Sequence, residues 1–105
     1  MQQQIDGWLK ALCDKANADR FNRKVRLVLE RGHKYTKVVK EEKWDEDKDW
    51  GSRSVHAFID NANGDIYKAA TWKAPAKNGA RFNVVNDFDR LIEVCDIYGS
   101  YLYKR

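Results

Sequence analysis

Lys68, Lys73, Lys77 and Arg81 follow one another with no acid between them, and Trp72 and Phe82 stand on either side of the chain's only proline, Pro75. Ammonium and guanidinium groups so placed attract phosphate or carboxylate oxygens, and an indole beside them offers a face for a nucleobase at roughly 1 to 3 kcal/mol per stack. The segment therefore reads as a polyanion-binding edge. Strict alternation over residues 65–72 puts Ile66, Lys68, Ala70 and Trp72 on one side, so Lys68 and Trp72 are expected to project together. Arg23, Lys24, Arg26 and Lys34 extend the patch, and Asn78-Gly79 lets the backbone approach a ligand closely.

Other constellations are weaker. Asp45, Asp47, Asp49 and Gly51 have the look of a calcium loop, but Trp50 and His56 occupy the positions where an EF-hand needs glycine and a bidentate glutamate. Two cysteines and two histidines without paired spacing give no zinc site. Asp60, Asp65 and Lys68 could polarise a phosphate through a metal, yet both acids fall at a hairpin turn, where they serve the backbone. Neither His33 nor His56 comes with a nucleophile and an orienting partner, and His56 is expected on a strand face next to Phe58. The expectation is a non-enzyme without cofactor or metal.

A second surface competes with the first. Residues 20–40 carry eight Lys or Arg against the single acid Glu30, whereas residues 41–50 carry six acids against two lysines. Ion pairs across a hairpin would neutralise these blocks. Alternatively Trp44, Asp45, Asp47, Asp49 and Trp50 form a contact for a protein partner, the carboxylates standing where DNA phosphates lie and the indoles burying.

The elements that position these groups follow from periodicity. Ile5, Trp8, Leu9, Leu12, Cys13 and Ala16 share a helical face, which predicts an amphipathic helix over residues 3–16 with Trp8 in the core. Residues 24–31 and 35–40 alternate as strands around a Gly32-His33 turn, and the acidic run to Trp50 reads as a loop or frayed strand end. Residues 55–59 and 65–72 form a hairpin through Asn61-Ala62-Asn63-Gly64. A short strand at 80–85 precedes a final helix in which Phe88, Leu91, Ile92, Cys95, Tyr98 and Leu102 recur. The fold class is α+β in one domain, residues 1–105: an N-terminal helix, a four- to five-stranded antiparallel sheet and a C-terminal helix, both helices on one sheet face. The other face must then meet water, a ligand or a second copy of the chain, which allows a homodimer.

At 105 residues the chain supports one core, and 43% hydrophobic residues at regular spacing exclude a disordered chain despite a charged fraction of 34%. Cys13 and Cys95 sit at apolar-face positions and are expected as reduced thiols. Without a basic, then apolar leader or a run of ~20 apolar residues, a cytoplasmic location and no membrane partner are expected.

The wording FIDNANGDIYKAATWKAPAKNGARFN, within residues 55–83, resembles a block found in small proteins of tailed bacteriophages. It is carried by Phe58-Ile59-Asp60, Gly64-Asp65, Lys68, Trp72 to Lys77, Arg81 and Asn83. The resemblance brings no activity with it. It implies a phage origin and a host-cell setting, with nucleic-acid housekeeping, inhibition of host enzymes or blocking of host defence as the available roles. The first reading is thus a small phage protein binding single-stranded or accessible nucleic acid through Lys68, Trp72, Lys73, Lys77 and Arg81; the rival is an anti-defence inhibitor, for example an anti-CRISPR, docking on a host nucleic-acid-handling protein.

Overall fold

The apolar stripe of the N-terminal segment forms helix α1, Gln2–Asn17, whose Ile5, Trp8, Leu12 and Ala16 are buried. The computed structural model describes residues 1–18, 23–44, 49–76 and 79–103. Strands β1 (Arg23–Arg31), β2 (Tyr35–Trp44), β3 (Ser52–Asp60), β4 (Asp65–Lys68) and β5 (Phe82–Asn83) follow, then helix α2 (Phe88–Val94) and a 3-10 turn, Ser100–Leu102. The strands lie in chain order β1-β2-β3-β4-β5, every neighbouring pair antiparallel. No helix among the described residues is long and apolar enough to cross a membrane.

Both helices pack on one face of this meander. Trp8 and Leu12 from α1 and Leu91 from α2 meet Val25, Val38, Ile59 and Ile66 from the sheet, with Val84 and Leu102 closing the core. Each side chain taken fully from water here contributes roughly 1.5–3 kcal/mol before conformational entropy is set against it. The two helices come close because residue 7 is glycine: a Cβ there would sit 2.9 Å from the Phe88 ring.

Three boundaries differ from the sequence expectation. The acidic run does not loop out at once; β2 continues through Glu41, Glu42 and Lys43 to Trp44, paired with β1 down to Arg23. The hairpin's second arm stops at Lys68, since Ala69 bridges to Pro75 and the Thr71 Oγ1 accepts from the N–H groups of Lys73 and Ala74, bending the chain away. The final helix ends at Val94. The Lys15 Nζ donates to the carbonyls of Ile92 and Cys95, each at 2.8 Å, Cys95 is extended, and Tyr98 is exposed rather than in the core. Cys13 and Cys95 are free thiols.

β1 is an edge strand, and α1 guards it. The Asn17 side chain accepts from the Val25 N–H and donates to the Val25 carbonyl, both at 3.0 Å, taking the two groups that another strand would use. The Leu27 backbone hydrogen-bonds to the Cys13 thiol. Replacing Asn17 by alanine is expected to cost about 2 kcal/mol, because both backbone groups lose their partner. A lowered urea midpoint with an unchanged slope would report this, together with self-association that grows with protein concentration.

Candidate nucleic-acid interface

The face turned away from the helices is built by register. Opposite Arg26 on β1 stands Glu41 on β2, and opposite Glu41 stands Arg53 on β3. The Arg26 Nε donates to Glu41 at 2.6 Å and the Arg53 Nε to its other oxygen at 2.8 Å, while the Arg53 Nη2 donates to Glu30 at 2.6 Å. Lys37 reaches Glu30 at 3.8 Å. The hydrogen bond from Arg26 holds the Glu41 carboxyl below its ordinary pKa, and Glu30 raises that of Arg53. The expected neutralisation across the hairpin is therefore real for Arg26 and Glu41.

Aromatic rings sit among these charges. Val39 and Phe58 are buried on this side although no helix covers them. Tyr35 stands edge-on to both Phe58 and Tyr67, at 6.2 and 5.9 Å between centroids. Trp72, carried over the sheet by the loop after β4, has the Lys37 Nζ 4.4 Å and the Arg53 guanidinium 5.5 Å from its ring centre, and stays 41% exposed. At the far end the Trp50 indole takes Arg26 at 4.3 Å and Lys43 at 5.1 Å. Each such contact is worth about 0.5–1 kcal/mol at the surface.

Between the β1–β2 turn and the Trp72 loop lies an open groove of about 380 Å³. His33 and Lys34 line it from the turn, Arg31 from the end of β1, Lys37, Tyr35 and Phe58 from the sheet, and Lys73 from the loop, the Arg31 guanidinium itself donating to the Gln2 side chain of α1 at 2.5 Å. Among the described residues Glu30 is the one acid in the lining, and Arg53 and Lys37 already engage it.

The residues singled out from sequence are scattered. Lys68 and Trp72 do not project together: β4 ends between them, Lys68 lies over the Tyr103 ring at 4.6 Å on the helix side, and Trp72 lies on the opposite face. Arg81 is turned inward, its Nε and Nη1 donating to the carbonyls of Leu102 and Gly79, each at 2.7 Å, so it serves the fold rather than the patch. Lys73 and Lys34 reach the groove, Arg26 is committed to Glu41, and Lys24 is exposed on β1. Lys77 and the Arg23 side chain lie outside the described residues. Of the rival contact, Trp50 folds back onto the sheet, Trp44 and Asp49 are exposed, and Asp45 and Asp47 lie outside the described residues.

His56 also departs from expectation. The β2–β3 register jumps from Val38–Ala57 to Val39–Val55, leaving His56 as the extra residue of a bulge in β3, so it turns to the helix side and meets Trp8 and Tyr101, while Phe58 stays on the other face. Sequence reasoning missed Lys37 and Arg53 as site residues. The signal for Lys37 was present, since Tyr35, Lys37 and Val39 share one side of a strand that is apolar on both faces.

The model of DUF7717, a family of unknown function, matches residues 1–104. The chain belongs to that family. No curated protein and no solved structure gives a significant match. For this DUF7717 member, function has to be read from the site itself.

Proposed function

We propose that the chain binds single-stranded or otherwise accessible nucleic acid on the second face of its sheet and performs no chemistry on it. One observation carries this: Lys34, Lys37 and Lys73, from the β1–β2 turn, β2 and the loop after β4, border a single groove, and the exposed indole of Trp72 lies 4.4 Å from the Lys37 Nζ. Cations at that density recruit phosphates, and the indole offers a base somewhere to stack only once that base has left a duplex. Phosphate contacts fix position and the stack tolerates any base, so the binding is sequence-neutral. The phage resemblance supplies the setting, a small protein handling nucleic acid in an infected cell.

The test is titration with a single-stranded oligonucleotide at 50 and 200 mM salt. Affinity should fall steeply between the two, and no binding at the lower salt overturns the reading. Lys34 and Lys73 are exposed and carry no ion pair among the described residues, so Lys34→Gln with Lys73→Gln should leave folding untouched. Losing two single-strand phosphate contacts should flatten the slope of log affinity against log salt by about 1.4, weakening binding about tenfold at 200 mM.

A further inference from the structure

We infer that the groove is a subsite for a terminal phosphomonoester of the bound strand, an inference that rests on the nucleic-acid reading above. The charge in the groove exceeds what an internal linkage uses. Among the described residues, Lys34, Lys37 and Lys73 are three permanent cations beside one carboxylate, Glu30, which Arg53 also pairs; the Arg31 guanidinium donates instead to Gln2 of α1. An internal phosphodiester brings one negative charge, whereas a terminal phosphate brings close to two at neutral pH and three acceptor oxygens.

Size and reach point the same way. About 380 Å³ lies within the range of small-ligand pockets, room for a phosphate group and its sugar. Lys37 belongs to the groove and also touches the Trp72 ring at 4.4 Å, so a phosphate held by Lys37 and a base stacked on Trp72 fall within the span of one nucleotide.

Both walls are fixed before any ligand arrives. On the turn side the Gly32 N–H donates to the Tyr35 carbonyl at 2.9 Å, and the Asn61 Nδ2 donates to the Gly32 carbonyl at 3.0 Å, tying the β1–β2 turn to the turn after β3. On the loop side Thr71 Oγ1 accepts from the backbone on either side of the Lys73–Ala74 peptide, and the Ala76 N–H donates to the Lys68 carbonyl at 2.7 Å. Fixed walls spare the backbone the cost of ordering, leaving only the lysine side chains to be immobilised when they close on an anion.

The experiment compares one single-stranded sequence in three forms, with a 5′-phosphate, with a 3′-phosphate and with neither, each labelled at the end not under test. One phosphorylated form should bind about tenfold tighter than the bare strand at 50 mM salt, as one further neutralised charge implies. Lys73→Gln should shrink that preference while the bare strand still binds. Equal affinity for all three forms overturns the terminal-phosphate subsite and leaves the nucleic-acid reading standing; binding of none overturns both. A preference that survives Lys73→Gln unchanged in Lys34→Gln/Lys73→Gln as well also overturns it, since the phosphate is then held elsewhere.

Discussion

Replacing Trp72 by alanine is expected to weaken binding of single-stranded nucleic acid by about 30-fold, the equivalent of about 2 kcal/mol, within the range for a lost base stack. Among the described residues the indole is the one large ring on this face that is well exposed as well as close to the groove; Phe58 is buried, and Tyr35 and Tyr67 are half-buried against it. Lys37 and Arg53 hold the ring in place from the sheet, so a base that stacks on it meets an oriented partner. The salt dependence distinguishes this variant from the lysine pair. A stack releases no counterions, so Trp72→Ala should lower affinity at every salt concentration and leave the slope as it was, whereas Lys34→Gln/Lys73→Gln changes the slope. Trp72 also packs against Lys37 and Arg53 of the sheet, so thermal unfolding of the variant has to be recorded beside its binding. Affinity within a factor of two of the parent, measured on folded protein, would remove the indole from the site.

How far this site could be seen in the chain depends on whether its parts are local. The face of α1, the turn at Asn63-Gly64 and the alternation of β1 are short-range patterns, and each appears in the structure where the residues imply it. Gly64 illustrates why: its φ of +83° is the left-handed conformation that the turn needs, and a Cβ there would also press on Met1 and Val84 at 2.9 Å. The expectations that failed were overridden by partners distant in sequence. Helical periodicity runs on past Val94, but Lys15, from the other end of the chain, takes the α2 carbonyls and the chain leaves the helix. Alternation continues past Lys68 on paper, but Pro75 and Thr71 turn the chain and carry Trp72 to the opposite face. The groove is assembled from β1, β2 and the loop after β4, and only the register of three strands brings Lys37 beside Lys73. A cluster of cations contiguous in sequence was legible; the cluster that forms in space was not, because it depends on where β4 ends.

The register shift at Val38/Val39 has a second consequence, which is acid sensitivity. It delivers His56 into the helix side of the sheet, where it is 8% exposed and its Nε2 lies 2.5 Å from the Tyr101 hydroxyl. The ring is also held by a hydrogen bond to the Ile97 backbone. Burial lowers the His56 pKa to about 4, Lys40 adding to the effect while Asp96 and the Ile97 bond oppose it. In the unfolded chain the same imidazole titrates near 6.5. The sign follows from which state binds the proton first. Above about pH 6.5 His56 is neutral in both states and stability is at its full value; between 6.5 and 4 the unfolded chain takes a proton that the folded one refuses, so stability falls as pH falls. About 2.5 units of difference amounts to about 3 kcal/mol, a large share of what a domain of this size commands. Glu41, held low by Arg26, adds its own loss only below its ordinary carboxylate range, so the interval from pH 6.5 to 4.5 isolates the histidine. Urea unfolding across that interval should show a falling midpoint for the parent chain and a nearly flat one for His56→Gln, whatever the variant's absolute stability. Parallel curves for the two proteins would mean that the folded state accommodates the charged imidazole, and the buried His56–Tyr101 pair would then not be the source of the acid response.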